Sequence, residues 1–506
     1  MSATKHRRLA AVVILAQAAT ANAVAAPVAD KAEAASWSEV RALIDNGADV
    51  NASQPDGTSA LMWAAYHGQT EAVSWLLEAG ASVDATNRYG VSVLTQAATV
   101  GDSRTLEQLL SADADPNAAM PEGDTPLMLA ARSGNLAAVR LLLDAGAAVE
   151  ARDEWHGETA LMWAAGENHA EVVRLLVEHG AQLDAVSTAF DWEFFKPTGV
   201  ASALPRGGLT ALLHAAREDA LEAAAVLLEL GADVKAIDPQ GLSALRVAIT
   251  NNNLDLAKLL LDHGADANDG ALVEAVKLRT FPWVRAAKRR TDQTRSIEMV
   301  ELLLDRGADI HKIPEVGMVK QHWVDGDHPN EPPLFLAAMG ADLELMTLLT
   351  ERGAKLEPSV SSKGASVLMA ALGLTPHVGS GGSEPRRAAD VAVAAGTLVL
   401  KLGADVDTAK NDGMTALHLA AEKGLDAWVR FLLDHGAKLD IKDKSNRLAI
   451  DVAKGVARIP RPEDGPMMIG APPPLHESTV SLLREAMAAA GVEEEPYVDP
   501  RPAEPK

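Results

Sequence analysis

The sequence predicts an all-α solenoid of about twelve stacked helix pairs, and three observations lead to this fold class. A five-residue phrase recurs along the 506 residues: Gly-Ala, any residue, a hydrophobic residue, then in most copies Asp, Glu or Asn. Its copies return repeatedly to a spacing of 33 residues, which is typical of repeat proteins. Aromatic residues make up only 4% of the chain, so the core must use Ala, Leu and Val, which suit closely packed helices.

The first element, residues 1–25, has the pattern of a signal peptide. Three basic residues precede the short apolar stretch 9–19, and Ala-x-Ala sequences ending at Ala23 and Ala25 offer cleavage sites. An uncleaved anchor stays open as an alternative, although the apolar stretch is short for a membrane span. We therefore expect an exported protein, periplasmic or secreted. Cleavage would remove three positive charges and leave a net charge of −24 − 3 = −27.

The second element, residues 27–491, consists of repeats that share two phrases. The Gly-Ala phrase begins at Gly47, Gly80, Gly146, Gly180, Gly231, Gly264, Gly307, Gly353, Gly403 and Gly436. The other phrase reads Thr-Pro-Leu-Met-Leu-Ala-Ala at Thr125 and Thr-Ala-Leu-Met-Trp-Ala-Ala at Thr159, and its Leu lies 19 residues before the next Gly. Together these phrases resemble the ankyrin repeat family. The resemblance implies an ankyrin-repeat solenoid of about twelve helix pairs with short hairpin fingers.

One repeat illustrates why these residues form two helices. Thr125 can cap the first helix and Pro126 can occupy its first turn, where a missing N–H costs nothing. Apolar residues then recur at helical spacing up to Gly146, which can end the second helix in the left-handed conformation. A single unit cannot bury its apolar faces alone, so the units must stack.

Five inserts interrupt the repeat register, and an unusual tail follows it. The inserts fall near residues 186–207, 279–294, 313–331, 375–387 and 457–475. The first and third lengthen fingers, whereas the other three separate the two helices of one repeat. The tail, 492–506, is acidic and rich in Pro, which predicts disorder.

Composition and motifs exclude several functional classes. The absence of Cys excludes disulfides, Cys-ligated zinc, iron–sulfur clusters and thiol catalysis. A net charge of −24 opposes binding to nucleic acid, although it can also serve solubility alone. No phosphate-binding loop, dinucleotide fingerprint, nucleophile elbow or His-Glu-x-x-His motif is present. We therefore expect no enzyme activity and no cofactor.

Aromatic residues outside the core register are candidates for partner binding. The resemblance implies that ligands bind the concave face, formed by the fingers and the first helices. On this face, and in the 186–207 insert, the candidates are Tyr66, His67, Arg88, Tyr89, Trp155, His156, Trp192 and Phe195. Two interpretations of the insert aromatics remain open, because such rings can fold back on the solenoid or meet a partner.

Two inserts carry concentrated polar chemistry. The 279–294 insert contains a basic patch, formed by Arg285, Lys288, Arg289 and Arg290. This patch can pair with the acidic surface of the chain itself, with an anionic patch on a partner, or with lipid headgroups. The 313–331 insert offers a weak candidate metal site, formed by His322, Asp325, Asp327 and His328. Its spacing matches no established ligand motif, so we expect no metal there.

The sequence therefore predicts a protein-binding scaffold, inhibitor or assembly partner for another exported protein. The alternative is a hydrolase or metal-dependent activity built in the long inserts. We expect a protein partner with a basic or mixed surface, no nucleic acid, no stable membrane insertion and a monomeric state. His418, in a Thr-x-Leu-His phrase that resembles the family motif, is expected to have a structural role.

Overall fold

A computed structural model of the protein describes residues 26–195, 201–280, 293–313, 331–356, 364–375, 389–457 and 474–497. For residues 191–195, 201–205, 293 and 294 it describes the backbone alone. Within these ranges the chain forms twelve helix pairs, which confirms the predicted all-α repeat solenoid. No helix in the described ranges is both long and apolar enough to cross a membrane.

Contacts divide the chain into two compact units, of which the first comprises Met1–Ala189 and Gly207–Asp233. Its described part contains six helix pairs. In chain order they are α1 (Pro27–Glu33), α2 (Trp37–Asp45), α3 (Ala60–Tyr66), α4 (Thr70–Glu78), α5 (Val93–Val100), α6 (Ser103–Ser111), α7 (Pro126–Ser133), α8 (Leu136–Asp144), α9 (Ala160–Gly166), α10 (Ala170–Glu178), α11 (Ala211–Glu218) and α12 (Leu221–Glu229).

The second unit comprises Phe190–Arg206 and Val234–Lys506, and its described part contains one β-hairpin and six further helix pairs. The strands are β1 (Phe190–Phe195) and β2 (Ala201–Arg206). The helices are α13 (Ala244–Thr250), α14 (Leu254–Asp262), α15 (Ala271–Thr280), α16 (Gln293–Asp305), α17 (Pro333–Gly340), α18 (Leu343–Glu351), α19 (Val367–Ala371), α20 (Ala389–Lys401), α21 (Ala416–Glu422), α22 (Asp426–Asp434), α23 (Ala449–Ala453) and α24 (Glu477–Ala490).

The two helices of a repeat bury different amounts of their surface, and this difference explains their sequences. Residues 60–65 of α3 and 160–165 of α9 are all buried, because a first helix packs on several sides at once. Three of the six residues in each segment are Ala, and small side chains let neighbouring helices approach closely. A second helix buries one face only, as α8 does with Ala138, Val139 and Leu142.

The ends of the helices confirm the local interpretation of the repeat. The Thr125 hydroxyl accepts a hydrogen bond from Met128 N at 3.3 Å and so caps α7, with Pro126 in its first turn. Gly146 follows α8 with φ +88°, in the left-handed region that only Gly adopts without strain. A Ser or Thr likewise caps the first helix of most other repeats, and a Gly with positive φ follows most second helices.

The 186–207 insert contains a two-stranded antiparallel hairpin that the repeat register did not reveal. β1 pairs with β2 so that Phe190 lies opposite Arg206 and Phe195 lies opposite Ala201. The β1 sequence Phe-Asp-Trp-Glu-Phe alternates apolar and acidic residues, which is the period of a strand rather than of a helix. The all-α prediction holds for the repeats, and the hairpin is an addition to them.

The other inserts lie largely outside the described residues, and the tail is partly described. α15 continues to Thr280 and α16 begins at Gln293, so helices occupy both ends of the predicted 279–294 insert. In the tail, Glu494 forms ion pairs with Lys454 and Arg484, and Tyr497 donates a hydrogen bond to a main-chain carbonyl at 3.3 Å. Residues 498–506 lie outside the described part, as do residues 1–25 of the predicted signal peptide.

Candidate functional site

The hairpin fingers of the first unit are tight turns that hydrogen-bond to one another through the main chain. Arg88 N donates to Asp56 O at 2.8 Å, which joins two consecutive fingers. Glu154 N donates to Glu122 O at 2.9 Å and joins a second pair in the same way. Because donor and acceptor are both backbone atoms, these two hydrogen bonds do not involve the exposed side chains at the finger tips.

A glycine at the turn permits this close approach. Gly123 has φ +85°, and a Cβ atom added to it would lie 2.8 Å from Glu154 N. Real Cβ atoms do not approach backbone nitrogen so closely, so any other residue here would push the next finger away. The glycine therefore fixes the finger spacing as well as the turn conformation.

Tyr66 and His67 lie together at the end of α3, in a cluster of four rings. The His67 ring stacks on Trp63 with centroids 5.9 Å apart and meets Trp37 edge-on at 5.8 Å. Tyr66 meets Trp63 edge-on at 5.6 Å and remains exposed at the rim of the cluster. The tyrosine ring is thus held in place by aromatic contacts while part of it faces solvent.

Arg88 and Tyr89 also form one group, at the tip of the next finger. Tyr89 is exposed, and its main-chain N–H donates to the Asn87 side chain at 3.0 Å. The Arg88 guanidinium donates to the Tyr89 hydroxyl at 2.9 Å and lies 5.0 Å from the ring centroid. This pair offers a cation and an aromatic ring in a fixed mutual position.

Trp155 is the most exposed large apolar side chain in the described part of the chain, at 71%. It lies at the tip of the 153–158 finger, whose turn is organised by the buried carboxylate of Asp153. Asp153 Oδ1 accepts hydrogen bonds from Trp155 N at 3.0 Å and from His156 N at 2.6 Å. The finger also forms a main-chain hydrogen bond with the following segment of chain, because Thr188 N donates to His156 O. A large apolar ring is therefore displayed on a fixed backbone.

Behind this tip, side chains from the finger and from α11 form an imidazole–carboxylate group. Asp153, His156 and Glu158 each place one potential metal-ligand atom within 4.8 Å of the other two. His214 of α11 is 5% exposed, and its Nε2 lies 3.9 Å from Glu158 Oε1. Within the described residues this Nε2 has no hydrogen-bond partner.

Burial lowers the pKa of His214 to about 3, with smaller contributions from the charges of Arg217 and His156. His214 is consequently neutral at pH 7, and its contact with Glu158 is not an ion pair. The sequence analysis did not identify His214. Its position in the repeat could have drawn attention to it. His214 lies four residues after the helix N-cap, where other repeats carry the apolar residues Trp63, Leu129, Trp163 and Leu419.

His418 gives the contrasting case, because both of its ring nitrogens have partners. Its Nδ1 contacts Thr415, and its Nε2 lies 3.1 Å from the main-chain oxygen of Arg447 in the next finger. This geometry confirms the predicted structural role. Burial lowers the pKa of His418 as well, which keeps the ring in the neutral form that this bridging position uses.

The predicted site residues fall into three classes. Tyr66, His67, Arg88, Tyr89, Trp155 and His156 lie in three repeats of the first unit, as described above. Trp192 and Phe195 lie on β1, where only the backbone is described. The basic patch (Arg285, Lys288, Arg289 and Arg290) and the weak metal candidate (His322, Asp325, Asp327 and His328) lie outside the described residues.

Comparison with known families agrees with the architecture. A family model described as ankyrin repeats (3 copies) matches residues 31–119, 94–187 and 196–271. Another, described as ankyrin repeats (many copies), matches residues 399–453, and together the matches cover more than half of the chain. A comparison with curated proteins gives no match.

Proposed function

Because the chain belongs to the ankyrin repeat family, we propose that it binds another exported protein non-covalently through its fingers and first helices. Ankyrin repeats are generally protein-interaction modules, and a scaffold, an inhibitor or an assembly partner would each use such a surface. The observation that best supports this proposal is Trp155, which is 71% exposed. Its finger forms main-chain hydrogen bonds with the preceding finger, through Glu154, and with the following segment, through His156.

Binding energy in protein interfaces is concentrated in a few residues. Trp, Tyr and Arg dominate binding hot spots, and Trp155, Tyr89 and Arg88 supply all three types at finger tips. Holding such side chains on fixed turns lowers the entropy lost on association, which leaves more of the contact energy as affinity. An isolated exposed Trp on a mobile loop would lack this advantage.

Charge indicates the kind of partner. The net charge of −24 favours a partner whose contacting surface is basic or mixed, since opposite charges steer encounter. The association rate should therefore fall as ionic strength rises, whereas the dissociation rate should change little. A stopped-flow salt series measures both, and an association rate independent of salt would contradict the proposed basic partner surface.

Export is part of the proposal and depends on the pattern of residues 1–25. If the signal peptide is cleaved, the protein recovered from the periplasm or medium begins at Val24 or at Ala26. N-terminal sequencing and intact mass of that protein measure this directly. A full-length protein retained in the cytoplasm would contradict it.

Affinity capture from the exported fraction tests the binding function. Trp155→Ala removes the most exposed ring, and truncating a central hot spot typically costs 2 kcal/mol or more, which is about 30-fold in affinity. Deleting residues 186–207 tests the insert separately. Val391→Ala is the matched control, because Val391 is an exposed apolar residue of α20, the second helix of its repeat. Equal enrichment by wild type and Trp155→Ala would contradict the role assigned to this tip.

A further inference from the structure

The group formed by the 153–158 finger and α11 has the composition of a metal site. We propose that Asp153, His156, Glu158 and His214 bind a divalent cation with zinc-like preferences. Two imidazoles and two carboxylates favour zinc over calcium or magnesium, which prefer all-oxygen ligands.

His214 is a buried histidine at a position of the repeat that is usually apolar. Equivalent positions in most other repeats carry apolar side chains, such as Trp63, Trp163 and Leu419, which fill the core, and the repeat capped by Ser92 carries the neutral amide Gln96. A buried ring nitrogen without a hydrogen-bond partner is destabilising relative to one that has a partner. His214 Nε2 lacks such a partner within the described residues, and the Glu158 carboxylate, 3.9 Å away, links it to the group that also contains Asp153 and His156.

The potential ligand atoms of the finger lie close to one another, and Glu158 lies close to His214. Tetrahedral zinc holds N and O ligands at about 2.0–2.2 Å, so its ligand atoms lie about 3.4 Å from one another. His214 Nε2 and Glu158 Oε1 are 3.9 Å apart, and one ligand atom from each of Asp153, His156 and Glu158 fits within 4.8 Å. His214 stands outside the group of three that meets this 4.8 Å limit, so its ring has the longest movement to make on binding a metal ion.

Hydrogen bonding by Asp153 leaves room for a metal ion. A carboxylate offers about four lone-pair sites on its two oxygens. Asp153 Oδ1 accepts from Trp155 N and His156 N, whereas Oδ2 accepts only from Glu158 N at 3.2 Å among the bonds described. One site on Oδ2 thus remains for a cation, and the three N–H groups orient the carboxylate as outer-shell donors orient metal ligands.

The local charge balance also suits a dication. Asp153 and Glu158 supply two negative charges, which a bound Zn²⁺ would neutralise, and His156 and His214 add imidazole nitrogens as further donors. Arg217 opposes a cation here, since its charge contributes to lowering the pKa of His214. Its guanidinium Nε lies 3.7 Å from Glu218 Oε1, which offsets part of that opposition. Arg217→Gln should accordingly raise zinc affinity.

Metal binding would tie the tip of the finger to the first helix of the following repeat. Asp153, His156 and Glu158 belong to the finger that carries Trp155, and His214 belongs to α11. A metal that links the two stabilises both elements in the state that binds it. The site therefore provides a means of stiffening the exposed Trp155 tip, independently of whether any partner is present.

Calorimetric titration of the untagged full chain with Zn²⁺, after removal of metals by a chelator, tests the proposal. We expect one equivalent to bind, and a thermal transition that shifts upward with zinc concentration. Glu158→Gln and His214→Leu should each weaken binding at least tenfold and abolish the shift. His214→Leu should fold normally, because other repeats carry Leu129 or Leu419 at this position.

Glu154→Gln is the matched control. It removes one acidic charge from the exposed tip of the same finger without removing a ligand, so its zinc binding should equal that of the wild type. Absence of zinc binding by the wild type would overturn the proposal. Binding that His214→Leu and Glu158→Gln retain would also overturn it, since the zinc would then be bound by other residues. Magnesium and calcium should produce no shift at the same concentrations.

Discussion

Replacing Arg447 by Met removes one half of an ion pair that is completely enclosed in the second unit. The Arg447 and Asp443 side chains are each 1% exposed. Arg447 Nε and Nη2 donate to Asp443 Oδ2 at 2.9 and 2.7 Å, and Nη1 donates to Val456 O at 2.8 Å. Met occupies a similar volume, so the substitution chiefly removes charge and hydrogen bonds.

The expected loss follows from the carboxylate that remains. Asp443 keeps hydrogen bonds from the main-chain N–H groups of Ser445 and Arg447, which hold the turn, but it loses both guanidinium donors. Leaving one charge of a buried pair uncompensated costs about 3–5 kcal/mol. In the double variant Arg447→Met/Asp443→Asn, the amide oxygen can still accept from the turn and no charge is left unpaired, so part of the loss should be recovered.

Native-state hydrogen exchange of the α21–α23 amides measures this loss, because a solenoid opens repeat by repeat and global unfolding would average the effect. Arg352→Met is the control, read out by exchange of the α16 and α18 amides that flank its own ion pair. Its pair with Asp305 has a similar N–O distance, 2.7 Å, but its side chains are 36% and 63% exposed, and such pairs contribute less than about 1 kcal/mol. If the opening free energy falls equally little in both variants, the reasoning about the buried pair is refuted.

Two further predictions concern the finger turns and the tail. Gly123→Ala should lower the melting temperature more than Gly146→Ala. Both glycines have positive φ, but only a Cβ atom at Gly123 would collide with Glu154 N. Equal decreases in melting temperature would contradict this prediction. Hydrogen bonds from Arg484 and Lys454 lower the pKa of Glu494 from about 4.5 to about 2, so the tail contact should persist at pH 5 and weaken as pH falls towards 2. Amide exchange in residues 492–497 measures it, and an unchanged pH profile in Arg484→Gln would show that the pair is not the cause.

The repeats could be predicted from sequence because each one contains the residues that begin and end its own helices. The Thr cap, the Ala–Leu helix and the left-handed Gly recur, and each is interpretable without knowing what lies beside it. The β1–β2 hairpin was missed for the opposite reason. The repeat register offers no template for it, and its alternating pattern covers a single short segment of chain.

The candidate site was predictable only in part. Register alone placed Tyr89 and Trp155 at finger tips, where both are exposed. The contact of His214 with the 153–158 finger could not be predicted in the same way. In the sequence, 55 residues, including the 186–207 insert, lie between Glu158 and His214. Spacing within a repeat specifies neighbours along the helix, whereas contacts across an insert depend on how the insert folds.

The main-chain bonds between fingers, such as Arg88 N to Asp56 O, have a consequence for how this protein can change over time. Any residue except Pro supplies the same N–H, so a tip side chain can be exchanged without altering the frame that displays it. Under the proposed function, the side chain of a tip residue contacts the partner, whereas its main-chain atoms hold the finger in place. New binding preferences can arise by single substitutions at the tips, while the turn glycines and the buried helices stay as they are.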